Sequence, residues 1–537
     1  MPHPSLALEG VSHHLADGRV LFSDLHERFD QRPTALVGRN GVGKSVLAGI
    51  LAGAMAPSGG RCVREGRVHF LPQQVVPNAS DTVADLARLA PALAALSRIE
   101  AGSCDPADFE QVGERWNLRG ELDEALAAQG LHGLEPATPA HRLSGGELMR
   151  VALAGAWLTD ADFLILDEPG NHLDRGARRR LLGQLHAWRR GLLVVSHDRM
   201  LLRAMSRVVE LTPGGLRSHG GGFDEYLESR DRDEAAAQRD LAHARAERAR
   251  MRRQVAAQLE REQRRQSRDR RERRDANQAT ILLDYQQQRS EYSAGRRALE
   301  RQQSTDEADR RVREAALRVG DESVVAMFAP LPAAAAQRRV AELDAIVLPY
   351  APAATRCLSL AIQGTQRIGV IGDNGTGKST LLRVLAGQVD ALAGERRMHV
   401  PLALLDQALA GLPAQATALA CLRQVAPDID EATLRTRLAQ IGLDAARIAV
   451  PTAVLSGGER LKAALACALY AQEPAQLLLL DEPDNHLDLA SKEALERMLG
   501  DYPGALVVVS HDDAFLDRLA LDWRLHAGES GWTLSPW

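Results

Sequence analysis

Two stretches of the chain carry the same glycine-rich signature for binding phosphate. GRNGVGKS at Gly38–Ser45 recurs as GDNGTGKS at Gly372–Ser379, each after an apolar run typical of a strand and before a run typical of a helix. The glycines let successive backbone N–H groups close around phosphate oxygens, and the helix adds the positive end of its dipole. The lysine would reach the β- and γ-phosphates, and the serine hydroxyl would bind Mg²⁺. Each stretch is therefore predicted to be a P-loop.

The residues predicted to bind the nucleotide are those of the two loops and the residue after each. They are Gly38, Arg39, Asn40, Gly41, Val42, Gly43, Lys44, Ser45 and Val46, and then Gly372, Asp373, Asn374, Gly375, Thr376, Gly377, Lys378, Ser379 and Thr380. Ser45 and Ser379 are also predicted magnesium ligands. Because Val46 stands where the second copy has Thr380, only the second loop keeps two adjacent hydroxyls.

Two apolar runs that end in Asp-Glu supply carboxylates. Such a run predicts a buried parallel strand, and open α/β sheets bind their ligands at the carboxyl ends of the strands. The aspartate would bind Mg²⁺ directly or through water, and the glutamate would polarise the attacking water and accept its proton. A histidine follows the glutamate by 29 residues in both copies and would lie beside the γ-phosphate. These residues are Asp167, Glu168 and His197, and then Asp481, Glu482 and His511.

The order of the motifs indicates that the chain of 537 residues is a duplication. P-loop, LSGGE, LDEP and VVSHD occur twice in that order, and the last two are both shifted by 314 residues between the copies. We predict an α/β fold with two P-loop domains in tandem, at 1–228 and 326–537. The first copy is longer before its LSGGE, which predicts a small helical insertion at about 79–129.

A basic segment at 229–325 separates the copies. Residues 241–280 hold 13 Arg and no Lys against 6 acidic residues, a local net charge of +7. The segment is rich in Arg, Gln, Glu and Ala, and it contains no Pro before residue 330. This composition favours helices. We predict two long helices that form an antiparallel hairpin with its turn at Asp275–Thr280. A charge run of this kind is often only a solvated helix face.

Composition excludes several other classes of protein. With 45% apolar and 26% charged residues and a net charge of −5, the chain is an ordinary globular protein. Its 5 cysteines are far apart, which argues against a disulfide framework, a zinc site or a cysteine-ligated iron–sulfur cluster. The N-terminal residues lack the pattern of a signal peptide. No apolar run is as long as the about 18 residues that a membrane-spanning helix needs. A soluble, cytoplasmic protein is expected.

The full motif set resembles that of the ATP-binding-cassette superfamily. In that superfamily two cassettes pair head to tail and enclose two ATP molecules between them. The resemblance implies that Ser144, Gly145 and Gly146 cap the ATP bound at Lys378, and that Ser456, Gly457 and Gly458 cap the ATP bound at Lys44. It also implies that Gln73 and Gln407 sense Mg²⁺ and the γ-phosphate.

Within the superfamily the chain resembles the ABC-F group, over nearly its whole length. Members have two cassettes, no membrane domain, a charged helical linker of this size and NHLD after DEP. The resemblance implies ribosome binding at or near the tRNA exit site, with the linker hairpin reaching towards the peptidyl-transferase centre and P-site tRNA. Linker arginines would contact rRNA and tRNA phosphates. Some members modulate translation, some rescue stalled ribosomes, and some displace ribosome-bound antibiotics.

The chain departs from the usual ABC-F pattern at a few positions. Gly170 and Asp484 stand where the family has Thr after DEP. Tyr350 is placed to stack on adenine in the second copy, whereas Ser12–Ala16, the matching stretch of the first, has neither Tyr nor Phe. The linker also lacks the lysine-rich tip motif of many members.

Other functions were weighed against this one. A chain with these motifs could be the ATP-binding subunit of a transporter whose membrane domains are separate chains, although the basic hairpin would then lack a purpose. A DNA-repair or chromosome-associated ATPase ranks lower, because zinc-binding cysteines and very long coiled coils are missing. A scaffold with dead sites disagrees with the complete catalytic sets. The expected form is a monomer whose cassettes pair with each other, with ATP and Mg²⁺ as cofactors and neither membrane nor DNA as partner.

Overall fold

The computed structural model describes residues 4–171, 173–275, 299, 302–316, 339–485 and 487–537. These residues form two compact units. One unit contains the described residues up to Asp224, here cassette 1, and those from 339 to 537, here cassette 2; the other contains the linker between them. The predicted α/β fold in two copies is confirmed. The domain limits drawn from the sequence stay predictions, and the limit at 325 lies outside the described residues.

Cassette 1 is built on two sheets. Their strands are β1 (Ser5–His14), β2 (Val20–Phe29), β3 (Thr34–Val37), β4 (Gly59–Glu65), β5 (Val68–Leu71), β6 (Phe163–Asp167), β7 (Gly191–Val195), β8 (Arg207–Thr212) and β9 (Gly215–His219). The larger sheet has the order β5-β6-β7-β3-β8-β9 and is parallel except for β9. Strands β3, β6 and β7 are buried throughout, which explains their unbroken apolar runs. The smaller, antiparallel sheet has the order β2-β1-β4.

The helices of cassette 1 include a separate small bundle. They are α1 (Lys44–Ala52), α2 (Val83–Leu86), α3 (Ala90–Glu100), α4 (Pro106–Val112), α5 (Leu118–Ala128), α6 (Gly145–Leu158), α7 (Arg175–Ala187) and α8 (Arg199–Arg203). Helices α2 to α5 occupy the insertion predicted at 79–129. Their buried side chains form one apolar cluster with Val151 and Ala154 of α6, so the insertion packs on the helix that follows LSGG.

The linker contains a long helix, α9 (Phe223–Asp275), and the helical residues 302–316, here α10. Leu241 of α9 packs with Val312 and Ala315 of α10, whereas Arg248, seven residues further along α9, pairs with Asp309 at 3.6 Å. Because the contacts move back along α10 as they advance along α9, the two helices are antiparallel, as the predicted hairpin requires. The turn itself, beyond Asp275, lies outside the described residues. No helix in the part of the chain that the structure describes is long and apolar enough to cross a membrane.

Cassette 2 repeats the plan of cassette 1. Its strands are β10 (Arg339–Val347), β11 (Cys357–Gln363), β12 (Arg367–Gly372), β13 (Ala393–Met398), β14 (Leu402–Leu405), β15 (Leu477–Asp481), β16 (Ala505–Val509), β17 (Trp523–Gly528) and β18 (Gly531–Pro536). They form sheets in the orders β14-β15-β16-β12-β17-β18 and β11-β10-β13. Its helices are α11 (Lys378–Ala386), α12 (Ala418–Val425), α13 (Glu431–Gln440), α14 (Ala445–Ile448), α15 (Gly457–Leu469), α16 (Leu489–Gly500) and α17 (Asp513–Asp517).

Candidate active site

The two P-loops follow the same backbone path. Each begins where a buried central strand ends, β3 or β12, and leads into α1 or α11. Gly38 and Gly372 adopt φ angles of 148° and 151°. A Cβ at these positions would lie 2.4 Å from the carbonyl oxygen of Leu211 and 2.6 Å from that of Ala527. Only glycine fits so close an approach, so the loops fold as the phosphate cradle that the sequence predicts.

The P-loop lysines lie inside their own loops. The Lys44 ammonium donates to the carbonyl oxygens of Gly38 and Arg39 at 2.8 and 3.0 Å. Lys378 makes the same two bonds within its loop, at 2.8 and 2.7 Å. Burial lowers the pKa of both lysines. An anionic phosphate placed over the loop would oppose this effect, because a nearby opposite charge favours the charged form of the amine.

A serine hydroxyl and an aspartate lie together at the carboxyl end of each central sheet. Ser379 Oγ donates to Asp481 Oδ1 at 3.1 Å. In cassette 1 Ser45 lies close enough to the Asp167 carboxylate to oppose the effect of burial on its pKa. Burial raises the pKa of both aspartates. Asp167 Oδ1 is buried and has no hydrogen-bond partner. Hydroxyl and carboxylate oxygens are the ligands that Mg²⁺ prefers, and one of these oxygens has no hydrogen-bond partner. The group therefore fits a Mg²⁺ ion that also binds substrate phosphates.

Each predicted catalytic glutamate faces its predicted histidine. His197 Nε2 is 3.5 Å from Glu168 Oε1, and His511 Nε2 is 3.3 Å from Glu482 Oε1. Glu168 and Glu482 have φ angles of 49° and 50°, a left-handed conformation that is strained for a residue with a Cβ. The strain turns both carboxylates out of the strand and towards the histidines. Asn485 also donates its side-chain amide to Glu482.

The two glutamates have different electrostatic surroundings. Burial raises the pKa of Glu168 to about 8, although the Lys44 ammonium opposes the rise. Burial also acts on Glu482, but the nearby His511 and the charge of Lys378 outweigh it, and the pKa of Glu482 is lowered. Burial, helped by Lys44, lowers the pKa of His197 to about 3. Glu482 is therefore ionised at neutral pH, whereas the pKa of Glu168 lies close to neutrality.

Residues of both cassettes line one cavity of about 600 Å³. Cassette 1 contributes Ser144, Gly145 and Gly146, and cassette 2 contributes Asn374, Gly375, Gln407, Glu482 and His511. The LSGG segment of cassette 1 therefore faces the P-loop, glutamine, glutamate and histidine of cassette 2. This is the head-to-tail arrangement that the resemblance implied for the site at Lys378.

At the other site the cassettes meet through an aspartate that sequence reasoning did not single out. The backbone N–H of Asn40 donates to Asp488 Oδ2 at 2.8 Å. Asp488 also accepts from the backbone N–H of Ser491 and so caps α16. The adjacent cavity, of about 300 Å³, contains Asn40, Gln73, Glu168 and His197 among its lining residues. Ser456, Gly457 and Gly458, which were predicted to cap this site, do not line this cavity in the described part of the chain.

Tyr350 lies next to the second P-loop with its ring in solvent. The side chain is 93% exposed. Ala351 lies against Gly377, and Thr355 donates its hydroxyl to the carbonyl oxygen of Thr376 at 2.7 Å. The segment that carries Tyr350 is therefore fixed over the loop, where an adenine could stack. In cassette 1 the side chains of Leu21 and the buried Phe22 lie beside Gly43, the glycine that matches Gly377.

Sequence reasoning also missed the charged residues that join the cassettes. Arg199, 1% exposed, donates to Glu496 at 2.5 and 3.3 Å from α8 of one cassette to α16 of the other. It also lies 3.6 Å from Glu493. The signal in the sequence is the repeat itself, because Arg199 and Asp513 occupy matching places after the repeated VVSHD. Because these two matching residues carry opposite charges, the sequence indicates that they contact different residues in the two copies.

Asp484, the replacement for the usual threonine, belongs to a buried charged cluster. It accepts from the Ser510 hydroxyl at 2.7 Å and lies 3.8 Å from the Lys492 ammonium. Lys492 lies closer, at 3.0 Å, to Asp512. Burial raises the pKa of Asp484, whereas Lys492 outweighs the burial of Asp512 and lowers its pKa. At the matching place in cassette 1 stands Gly170, where a Cβ would lie 3.2 Å from the side chain of Leu201.

Comparisons with known proteins decide the family. The model of the ABC transporter family matches residues 29–171 and 355–485. The chain is 32% identical to the tylosin resistance ATP-binding protein TlrC of Streptomyces fradiae, over 96% of each chain. It is 29% identical to mouse ATP-binding cassette sub-family F member 3, over 90% of this chain and 66% of that protein. The chain belongs to the ABC-F family.

A solved structure supports the fold of this ABC-F protein. The archaeal ribosome recycling factor aABCE1, in complex with the ribosomal stalk protein aP1, aligns with a TM-score of 0.59 and 20% identity. The alignment covers 96% of this chain and 87% of that one. As a member of its family, the chain is a P-loop ATPase with two ATP-binding cassettes.

Proposed function

We propose that this ABC-F protein is a ribosome-associated ATPase, in which ATP binding closes the cassettes and hydrolysis releases the protein from the ribosome. The observation that carries the ribosome role is the surface of α9. Its exposed arginines include Arg245, Arg250, Arg252, Arg253, Arg261, Arg264 and Arg268. A guanidinium donates two parallel N–H bonds to phosphate oxygens, so a helix with many exposed arginines suits an RNA backbone.

The proposed hydrolysis assigns one step to each side chain. Lys44 and Lys378 bind the β- and γ-phosphates from inside their loops. Glu168 and Glu482 orient the attacking water and accept its proton. His197 and His511, each within 3.5 Å of its glutamate, hold the γ-phosphate side of the site. Closure excludes water from the cavity that Ser144–Gly146 share with the second P-loop.

Mg²⁺ is the proposed metal cofactor. Ser45 with Asp167, and Ser379 with Asp481, would hold it. Gln73 lines a cavity with Glu168, Gln407 lines one with Glu482, and both glutamines would sense the ion. The ion would neutralise phosphate charge as the γ-phosphate leaves. No group of three His, Cys, Asp or Glu side chains in the described residues could hold a metal alone, so the phosphates themselves would complete the site.

The proposed place of action is the tRNA exit site, with the linker directed towards P-site tRNA. The family resemblance supports this site, and the name of TlrC, a tylosin resistance protein, makes protection against an antibiotic one of the possible roles beside translation control and rescue. The cytoplasm is the corresponding location, and pairing of the cassettes within one monomer is the corresponding form. The transporter alternative is not favoured, because it gives the arginines of α9 no ligand.

The test is sedimentation of the Glu168→Gln/Glu482→Gln protein with 70S ribosomes through sucrose, with and without ATP. The change removes both proton acceptors but keeps their shape, so ATP should bind without being hydrolysed. We expect ATP-dependent migration with the ribosomes and inhibition of translation by the trapped protein. Migration with membranes instead would support the transporter alternative.

A second variant separates the role of the linker from that of the cassettes. Replacing Arg245, Arg250 and Arg253 by Ala in the trapped protein should weaken ribosome binding and leave ATP binding intact. Arg→Lys at the same positions keeps the charge and should retain most of the binding at low salt. If the trapped protein binds ATP but stays off ribosomes, the ribosome role is wrong and the ATPase remains.

A further inference from the structure

Opposite charges face each other across the cassette interface at two places. At the first, Arg199 of cassette 1 lies between Glu493 and Glu496 of cassette 2. At the second, Arg175 of cassette 1 forms an ion pair with Asp513 of cassette 2. At both places cassette 1 supplies the cation and cassette 2 supplies the anion.

The repeat shows what each cassette would meet if it paired with its own kind. A shift of 314 residues, which relates the catalytic motifs, makes Arg199 the counterpart of Asp513 and Arg175 the counterpart of Leu489. Two copies of cassette 1 would therefore place Arg175 against Arg199. Two copies of cassette 2 would place Asp513 against Glu493 and Glu496 and against Leu489. Either pairing brings like charges together or leaves a charge without a partner.

Burial makes these mismatches costly. The side chains of Arg199 and Glu496 are only 1% and 6% exposed, and an unpaired charge at such a depth loses its water without compensation. Arg178 of cassette 1 also lines one cavity together with Asp484 of cassette 2.

The charged pairs adjoin the catalytic groups. Arg199 and Asp513 each follow the predicted catalytic histidine by two residues, and Arg175 follows Asp174, which lines the cavity at the second P-loop. We propose that these pairs are a pairing key: they allow cassette 1 to close only on cassette 2, so that both ATP sites form within one chain and a second copy cannot replace either half. Arg175, Arg199 and Asp513 are positioning residues in this scheme. The proposal does not depend on the ribosome role.

A charge swap in the full-length protein tests the key. Arg175→Asp and Asp513→Arg are made singly and together, and Arg189→Asp, an exposed position after α7, is the matched control. Because like charges in contact oppose closure, each single change should lower ATP turnover by about tenfold. The swap restores the attraction and should return turnover to within about threefold of the parent. The control should change it by less than about twofold.

Further measurements separate the key from a folding defect. Asp513→Asn removes the attraction to Arg175 without adding repulsion. Its ATP turnover should lie between that of the parent protein and that of Asp513→Arg. Raised salt should relieve part of the defect of the single reversals, because it screens repulsion at a partly exposed pair. In the Glu168→Gln/Glu482→Gln background, light scattering should find one chain per particle with ATP. The proposal is overturned if the swap is no better than the single changes, if the single changes match the control, or if the trapped protein dimerises with ATP.

Discussion

Replacing Lys492 by Met should destabilise cassette 2 by about 3–5 kcal/mol, because two buried carboxylates would lose their shared cation. The Lys492 ammonium lies 3.0 Å from Asp512 and 3.8 Å from Asp484. The three side chains are 7%, 4% and 3% exposed, so water cannot take the place of the lost charge. Methionine fills a similar volume, so the change tests the charge and not a cavity.

Thermal unfolding followed by circular dichroism measures this effect. For a domain of about 200 residues each kcal/mol corresponds to about 2–4 °C, so the second cassette should melt roughly 10 °C lower. Arg497→Met, on the exposed face of the same helix, is the control and should change the melting temperature little. Adding Asp484→Asn to Lys492→Met should recover part of the loss, because one of the two stranded charges is removed. If Lys492→Met melts no lower than Arg497→Met, the buried cluster does not stabilise the cassette and the reasoning is refuted.

Three further predictions concern the nucleotide sites and the sheet beside them. Tyr350→Ala should weaken one of the two ATP-binding events by about tenfold, since stacking on a base is worth about 1–3 kcal/mol. Tyr350→Phe keeps the ring and should not weaken binding. Calorimetry of ATP binding in the Glu168→Gln/Glu482→Gln background checks this. Burial and the charge of Arg88 lower the pKa of His69 from 6.5 to about 4. As the pH falls, His69 is protonated near pH 6.5 in the unfolded chain but only near pH 4 in the folded protein. The contribution of neutral His69 to the stability of the fold is therefore complete above pH 6.5 and is lost as the pH falls towards 4. His69→Gln should flatten that part of a plot of melting temperature against pH. Glu482→Gln should slow steady-state ATP turnover at pH 7 more than Glu168→Gln does, because a smaller fraction of Glu168 is ionised at that pH. Equal losses would contradict this difference in pKa.

The parts of the proposed site that the sequence could indicate are those whose chemistry dictates both residue type and spacing. A phosphate cradle needs glycine where Gly38 meets the carbonyl oxygen of Leu211, and a Mg²⁺ site needs carboxylates where Asp167 ends its strand. These requirements are local, so they leave a readable pattern. The long helix α9 was predictable from composition, although it begins at Phe223, before the predicted limit of the linker, because that apolar side chain is buried.

The interface was not predictable in the same way. Arg199 and Glu496 are 297 residues apart, and their meeting depends on how two folded surfaces dock. No local pattern distinguishes either residue from a charged side chain on a solvated helix. Asp484 was recognised as a departure from the family, but its partner Lys492 is a single residue on a helix, and only the fold shows that both are buried.

Identical motifs therefore do not make identical sites. Both cassettes have the Lys, Ser, Asp, Glu and His that hydrolysis requires, yet the groups around them differ. His511 and Lys378 lower the pKa of Glu482 against the effect of burial, whereas burial raises the pKa of Glu168 to about 8. Tyr350 offers an exposed ring beside the second P-loop. Since residues of both cassettes meet at each site, we expect a change at one site to affect the interface that both sites share, and we expect the two sites to differ in their rates of hydrolysis.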